Sequence, residues 1–204
     1  MPALERLLAE LRPHIADTRV LDALRAVPRE HYVAAESRAE AWDNVALPIA
    51  CGQTISQPLV VARMCELLEL RGSETVLDVG TGSGYHAAVL AQLARRVYSV
   101  EVHRPLAEAA AAALAADGVD NVTVVVADGS RGLPAHAPYD AVNVAAAAAI
   151  EVPHALLEQL AVDGRLVAPV GDGDQRLVRI RRTSAGFERE SLEGVRFVPL
   201  VRSR

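Results

Sequence analysis

No lysine occurs anywhere in the 204-residue chain: all 21 basic residues are arginine, set against 26 acidic ones, for a formal net charge of −5. Arginine-only usage beside heavy use of alanine reads as genome composition rather than function. The acidic excess argues against a nucleic-acid surface. Cysteine is nearly absent too. Cys51 and Cys65 are too few and too irregularly placed for a disulfide framework or a zinc site, which points to a reducing compartment and leaves no metal expected. Long apolar runs are also missing. The longest, "AVNVAAAAAI" at 141–150, has about ten residues where a membrane span needs about twenty. The N-terminal "MPALERLLAELRPHIADTRV" scatters charges through an amphipathic pattern with Leu4, Leu7, Leu8 and Leu11 on one face, which is neither a signal peptide nor a span. A cytoplasmic protein with no membrane partner is expected. No internal repeat and no low-complexity linker interrupts the chain.

What is present is 51% apolar sequence, enough to bury one sizeable core and consistent with one domain over 1–204. Residues 1–57 read as helical segments broken at Pro13 and Pro28, then a loop through Trp42, Asp43 and Asn44. From Pro58 to Gly171 helix and strand patterns alternate. "LVVARMCELLEL", "GYHAAVLAQLA", "RPLAEAAAAALAAD" and "PHALLEQLA" are helices; "ETVLDVG", "RRVYSVE", "NVTVVVAD", "YDAVNVAA" and "GRLVAPVG" are strands. Strands apolar on both faces belong in a parallel sheet covered by helices. The expected fold is therefore α/β, a doubly wound, mostly parallel sheet preceded by N-terminal helices. Residues 172–204 differ: strand patterns flank Ser184-Ala185-Gly186, which predicts an antiparallel hairpin at the sheet edge. Arg179, Arg181 and Arg182 alternate with Val178 and Ile180 as on an exposed strand edge, a solvated face.

Between a predicted strand and helix, "VLDVGTGSGYHAAVL" places Asp78, Gly80, Gly82 and Gly84. Glycines there let a ligand approach the backbone and meet helix N-terminal N–H groups. A dinucleotide fingerprint would need a third glycine where Tyr85 stands, so the pattern is Asp-x-Gly-x-Gly-x-Gly. A tight structural turn is the plainer alternative. Glu101 closes the next strand, where a carboxylate can accept both hydroxyls of a ribose, and Asp128 closes the one after, where it could accept from an adenine amino group. Either acid alone reads equally as a helix cap or turn residue. Three successive strand ends at one sheet edge are where such folds bind ligands.

This set resembles the class I methyltransferases that use S-adenosylmethionine. The resemblance implies that Gly80, Thr81, Gly82, Ser83 and Gly84, with Asp78, wrap the methionine part, Glu101 and Val102 the ribose, and Asp128 and Gly129 the adenine side. "VPREHYV" (27–33), "LPIACGQTISQP" (47–58), the glycine loop (76–93), "GRLVAPVG" (164–171) and "VRFVPL" (195–200), in order along nearly the whole chain, are similar to the protein-L-isoaspartate O-methyltransferase family. That family methylates the free carboxylate of isoaspartyl residues in damaged proteins and peptides, and the ester recloses to a succinimide, which starts repair. Protein or peptide substrates bearing isoaspartyl residues are therefore the implied partners, with the enzyme a monomer. The chain departs from the family pattern at Ala145, where threonine is common, and at Trp42-Asp43-Asn44.

A carboxylate with an ordinary pKa near 4 is already a nucleophile at neutral pH, so no general base is required, which fits a sequence without an obvious Ser-His-Asp or Cys-His set. Within "GQTIS", Ser56 and Thr54 are expected to line the carboxylate pocket, with Gln53 shaping the loop; by resemblance Ser56 is the active-site position and Val195 lies near the substrate. The plainer alternative makes Ser56 the N-cap of the helix begun by Pro58. His86, His103 and His154 are expected at the surface or at helix caps. Two other functions compete: an aspartyl O-methyltransferase tailoring a ribosomally made peptide, and an S-adenosylmethionine-binding module without catalysis.

Overall fold

The computed structural model describes residues 2–201. Its centre is a seven-stranded sheet in the order β5-β4-β3-β6-β7-β8-β9. The strands are β3 (Thr75–Val79), β4 (Arg96–Glu101), β5 (Val122–Val126), β6 (Tyr139–Val144), β7 (Leu160–Val170), β8 (Gln175–Thr183) and β9 (Gly186–Val195). The five from β5 to β7 run parallel, and β8 and β9 are antiparallel to their neighbours. The chain winds outward from β3 to β5, then returns to place β6 on the other side of β3. That reversal opens a crevice at the carboxyl ends of β3 and β6.

Helices α3 (Pro58–Leu67), α4 (Tyr85–Leu93), α5 (Arg104–Ala116) and α6 (His154–Glu158) supply the covering layers. In α4 all but one of the nine residues is buried, the signature of a helix enclosed on all sides. It lies under the N-terminal helices α1 (Ala3–Leu11) and α2 (Thr18–Ala26). Leu7, Leu8 and Leu11 of α1 and Leu21 and Leu24 of α2 join its core cluster, each fully buried leucine contributing roughly 2 to 3 kcal/mol. The alanine-rich α5 needs little packing help to form and turns Leu106, Ala107, Ala110 and Leu114 inward.

The sheet amends several sequence expectations. The Arg-rich strand β8 lies inside the sheet between β7 and β9 rather than at its edge. Its arginines do reach solvent, where Arg179 pairs with Glu69 and Glu190 and Arg181 with Asp163. The outer strand is β9, the second half of the expected hairpin, whose last pair is Thr183 with Gly186; residues 202–204 of that expected unit lie outside the described residues. On the far side β5 is only half-buried, because as the other edge it lacks a neighbour. The expected helix "PHALLEQLA" stops at Glu158, and β7 takes over from Leu160, drawn into the sheet by pairing between Leu160 and Tyr139.

Residues 47–55 form a structure that the periodicity did not signal. β1 (Leu47–Pro48) pairs antiparallel with β2 (Thr54–Ile55), closing a tight loop in which Cys51 and Gly52 take positive φ of 57° and 67°.

Candidate active site

The glycine loop leaves β3 at the crevice. Its first turn hangs on β4, since the backbone N–H groups of Gly80 and Thr81 both donate to Val100 O. Gly80, Gly82 and Gly84 have φ of 92°, 55° and 91°, a region side chains rarely adopt. At Gly84 the loop is also tight, since a Cβ would stand 3.2 Å from Ala110 Cβ, while one on Gly82 would make ordinary contact with Ile49 Cδ1 at 3.5 Å. The Ile49 contact ties the cofactor loop to the hairpin carrying "GQTIS".

Glu101, 5% exposed, ends β4 beside this loop. One carboxylate oxygen accepts from Gly82 N at 2.9 Å and the other from His103 N at 2.9 Å. A carboxylate oxygen has two lone pairs, so each retains acceptor capacity toward the crevice. Asp128 acts first as a local cap, its Oδ1 accepting from Ser130 N at 3.0 Å and Ser130 Oγ at 2.7 Å. Gly129 follows, where a Cβ would lie 2.5 Å from Val79 Cγ1. Gly129→Ala is therefore expected to cost about 1 to 3 kcal/mol through overpacking and to lower the melting temperature by about 2 to 4 °C for each of those kcal/mol. A thermal scan showing no shift would mean that β3 yields freely at that point.

Asp78 and Thr81 are the expected loop residues that lie beneath the crevice rather than in its wall, 0% and 3% exposed. The Asp78 carboxylate accepts from Ser99 Oγ at 2.6 Å and Asn143 Nδ2 at 2.7 Å, and Ser99 Oγ stands 2.6 Å from Thr81 Oγ1. Burial pushes the Asp78 pKa up to about 6 against the pull of those two donors. His86, expected at the surface or a cap, is instead buried, with Nδ1 3.3 Å from Asn143 Nδ2 and Nε2 3.5 Å from Cys65 Sγ. Burial lowers its pKa to about 3 and raises that of the Cys65 thiol. The expectation failed because His86 lies on the face of α4 that meets α3 and β6, partners distant in sequence that a local amphipathic pattern does not reveal. His103 does stand at the α5 cap position and His154 at the exposed start of α6.

Gly80, Gly82, Glu101, Val102 and Gly129 line one cleft together with Gln53, Thr54, Ala145 and residues 198–201. Adjoining it is an open groove of about 1070 Å³ lined by Thr54, Ser56, Gln57, Val195 and neighbours from β8 and β9. Thr54 belongs to both cavities. The helix-capping alternative for Ser56 does not match the geometry. Gln57 occupies the cap position of α3 without a side-chain bond, and the helix is capped from a distance by Asn44 Oδ1, which accepts from Leu59 N at 3.0 Å. Ser83 instead sits at the start of α4, its Oγ 3.4 Å from Tyr85 N.

Sequence reasoning gave no weight to Gln175, yet its side chain shapes the groove wall. Its Oε1 accepts from Phe197 N at 2.6 Å and its Nε2 donates to Phe197 O at 3.1 Å, so one amide fixes the strap after Val195. Arg176 also lines the groove, but its guanidinium donates to Ser191 Oγ and to the Leu192 carbonyl. No pattern in the sequence marks either role, because both depend on the β8–β9 register. Among the described residues no cluster of His, Cys, Asp or Glu could hold a metal ion.

The chain is similar to known proteins in both sequence and fold. The family model for protein-L-isoaspartate(D-aspartate) O-methyltransferase matches residues 3–204. A Paramagnetospirillum magneticum protein-L-isoaspartate O-methyltransferase is 50% identical, covering 98% of this chain and 95% of its own. Protein-L-isoaspartate O-methyltransferase 1 of Rhodopseudomonas palustris is 54% identical, covering 92% and 77% respectively. A solved protein-L-isoaspartate O-methyltransferase superposes with a TM-score of 0.87 at 26% identity, over 96% of this chain and 65% of that one. A Plasmodium falciparum structure named for the same activity, in complex with S-adenosyl-L-homocysteine, gives 0.83 at 25% identity over 97% and 98%. A glycine crevice joined to a hydroxyl-lined groove thus comes with matches along the whole length of the chain, which belongs to the protein-L-isoaspartate(D-aspartate) O-methyltransferase family.

Proposed function

We propose that Ser56 and Thr54 hold the isoaspartyl carboxylate while the Gly80–Gly84 loop, Glu101, Val102, Asp128 and Gly129 hold S-adenosylmethionine. The carrying observation is that Thr54 lines both the groove and the glycine cleft, so an acceptor in one reaches the other at "GQTIS". The glycine cradle, with φ values that side chains rarely adopt, and a carboxylate with spare lone pairs at Glu101 suit the cofactor's amino acid and ribose. When bound, that cofactor supplies an electrophilic methyl group on a sulfonium.

The protein's part is to position and to exclude water. An isoaspartyl carboxylate is ionised at neutral pH and needs no base. Hydroxyl donors at Thr54 and Ser56 orient it with less ground-state stabilisation than an arginine fork would give. Methyl transfer also cancels one negative and one positive charge, so a dry, aligned site favours it. Gln53, on the cleft side, shapes the loop, and Val195 lines the substrate side. The following backbone nitrogen then attacks the ester carbonyl and expels methanol to close a succinimide, whose hydrolysis returns some normal aspartate.

The same reading makes 1–204 one folded unit: N-terminal helices and substrate loop over 1–57, cofactor core over 58–171, and hairpin over 172–204. It takes the enzyme as a cytoplasmic monomer without a nucleic-acid partner, supported by the scarcity of cysteine and the acidic net charge.

The test is base-labile methyl incorporation into two peptides that differ only in one isoaspartyl or aspartyl linkage. Transfer to the isoaspartyl peptide alone supports repair; transfer to the aspartyl peptide would point to peptide tailoring. Ser56→Ala is expected to lower kcat about tenfold, the loss of one hydrogen bond to a charged group, with cofactor affinity unchanged. A variant with normal turnover would remove Ser56 from the pocket.

A further inference from the structure

The buried chain Cys65–His86–Asn143–Asp78–Ser99–Thr81 draws on α3, α4, β6, β3, β4 and the glycine loop, and the reaction itself makes no use of it. With Asp78 ionised, the chain's hydrogen atoms have one arrangement, in which Asn143 Oδ1 alone is left without a partner. Asn143 Nδ2 lies 2.7 Å from Asp78 Oδ1 and 3.3 Å from His86 Nδ1, so its two hydrogens serve these two acceptors. A flipped amide would set its oxygen against the carboxylate. His86 Nδ1 therefore accepts, and the neutral ring carries its proton on Nε2, facing Cys65 Sγ at 3.5 Å. On the other side Ser99 Oγ gives its hydrogen to Asp78 Oδ2, which leaves Thr81 Oγ1 as the donor across the 2.6 Å contact with Ser99. Both groups that touch Asp78, Asn143 and Ser99, donate to it, so in this arrangement the carboxylate is a pure acceptor.

We propose that His86 and Asn143 are positioning residues of the cofactor site: together they keep Asp78 a pure acceptor, and through Ser99 and Thr81 that carboxylate holds the glycine loop in its receiving shape. This rests on the reading of the loop as the cofactor site. The loop's other tethers are backbone bonds, from Gly80 and Thr81 N–H to Val100 O and from Gly82 N–H to Glu101, so the Thr81 side chain is its side-chain anchor from below. When Asp78 takes up a proton, one of its oxygens becomes a donor, Ser99 has to turn, and Thr81 loses its acceptor. The titratable groups that face Asp78 are Glu101 from β4, His86 from α4 and Cys65 from α3. The Cys65 thiol and the His86 ring are neutral near pH 6, and Glu101 opposes ionisation of Asp78.

The experiment is calorimetric titration of the whole protein with S-adenosyl-L-homocysteine from pH 5 to pH 8, for wild type, Asn143→Leu, His86→Leu and His86→Gln, with Glu101→Ala as control. Wild-type affinity is expected to fall on acidification with a midpoint near the Asp78 value of about 6. Asn143→Leu removes a donor to the carboxylate, so binding at pH 7 should weaken about tenfold and the midpoint should rise by about one pH unit. His86→Leu should weaken binding, while His86→Gln, whose amide can accept from Asn143 and donate toward Cys65, should restore it. If Asn143→Leu fails to fold, the two His86 variants decide. Equal binding by His86→Leu and wild type, equal loss in His86→Leu and His86→Gln, or an unmoved midpoint in a folded Asn143→Leu overturns the proposal. Glu101→Ala separates the two levels. If it too binds normally, the loop is not the cofactor site; if it alone loses affinity, the site stands and the positioning chain does not.

Discussion

Glu101→Ala is expected to weaken S-adenosyl-L-homocysteine binding by at least about 100-fold in isothermal titration. Two losses add. The ribose would forgo hydrogen bonds to a charged acceptor, each about 1.5 to 3 kcal/mol by general experience, and the backbone N–H groups of Gly82 and His103, which now donate to the carboxylate at 2.9 Å each, would be released. The second loss loosens the loop before any ligand arrives. Glu101→Gln separates them, because its one remaining oxygen satisfies only one of the two N–H groups and its amide opposes the other. An intermediate affinity is expected for it. Unchanged affinity in Glu101→Ala would remove the ribose role, and a fallen melting temperature with intact affinity would leave Glu101 a purely structural clasp.

The other large effect is on stability against pH. The His86 pKa is lowered by burial from 6.5 to about 3, so the folded state prefers the neutral ring. Its contribution is complete above pH 6.5 and is lost as pH falls toward 3, on the order of 5 kcal/mol in all. Asp78 has the opposite sign. Its pKa is raised from 3.8 to about 6, so the contribution of its protonated form is complete below 3.8 and is lost as pH rises through 6, on the order of 3 kcal/mol. Between about pH 6 and pH 4 the two nearly cancel. His86→Gln removes one side of that balance. Relative to wild type the variant should gain about 2 to 3 kcal/mol on going from pH 7 to pH 4.5, measured by urea denaturation at both values. Parallel curves for the two proteins would show that the imidazole is protonated in the folded state.

These expectations differ in how far the sequence alone carries them. The glycine loop, Glu101 and Asp128 are legible because their signal is local: a strand, a turn residue at its end, and a helix start within a few positions. The alternation of elements is legible for the same reason, and so is the hairpin around Ser184-Ala185-Gly186. What escapes reading depends on distant partners. His86 looks like a residue near a helix start until α4 packs against α3 and β6. The true cap of α3 is Asn44, whose bond to Leu59 N joins residues far apart in the chain. Gln175 meets Phe197 only once β8 and β9 are in register, and β8 reads as an edge because its cover, β9, is itself almost wholly exposed. In "GQTIS" the residue types pointed to the pocket, while the two-residue ladder that presents them is too short to leave a period in the sequence.

That outermost strand has a bearing on the company the enzyme keeps. Its family acts on proteins that bear isoaspartyl residues, and any extended polypeptide can pair with an unprotected sheet margin. β9 offers such a margin, and Glu188, Arg189, Glu190 and Glu193 are exposed along it. Charges set along a strand edge oppose the stacking of a second extended chain. A margin charged in this way is a poor template for the aggregation of another extended polypeptide.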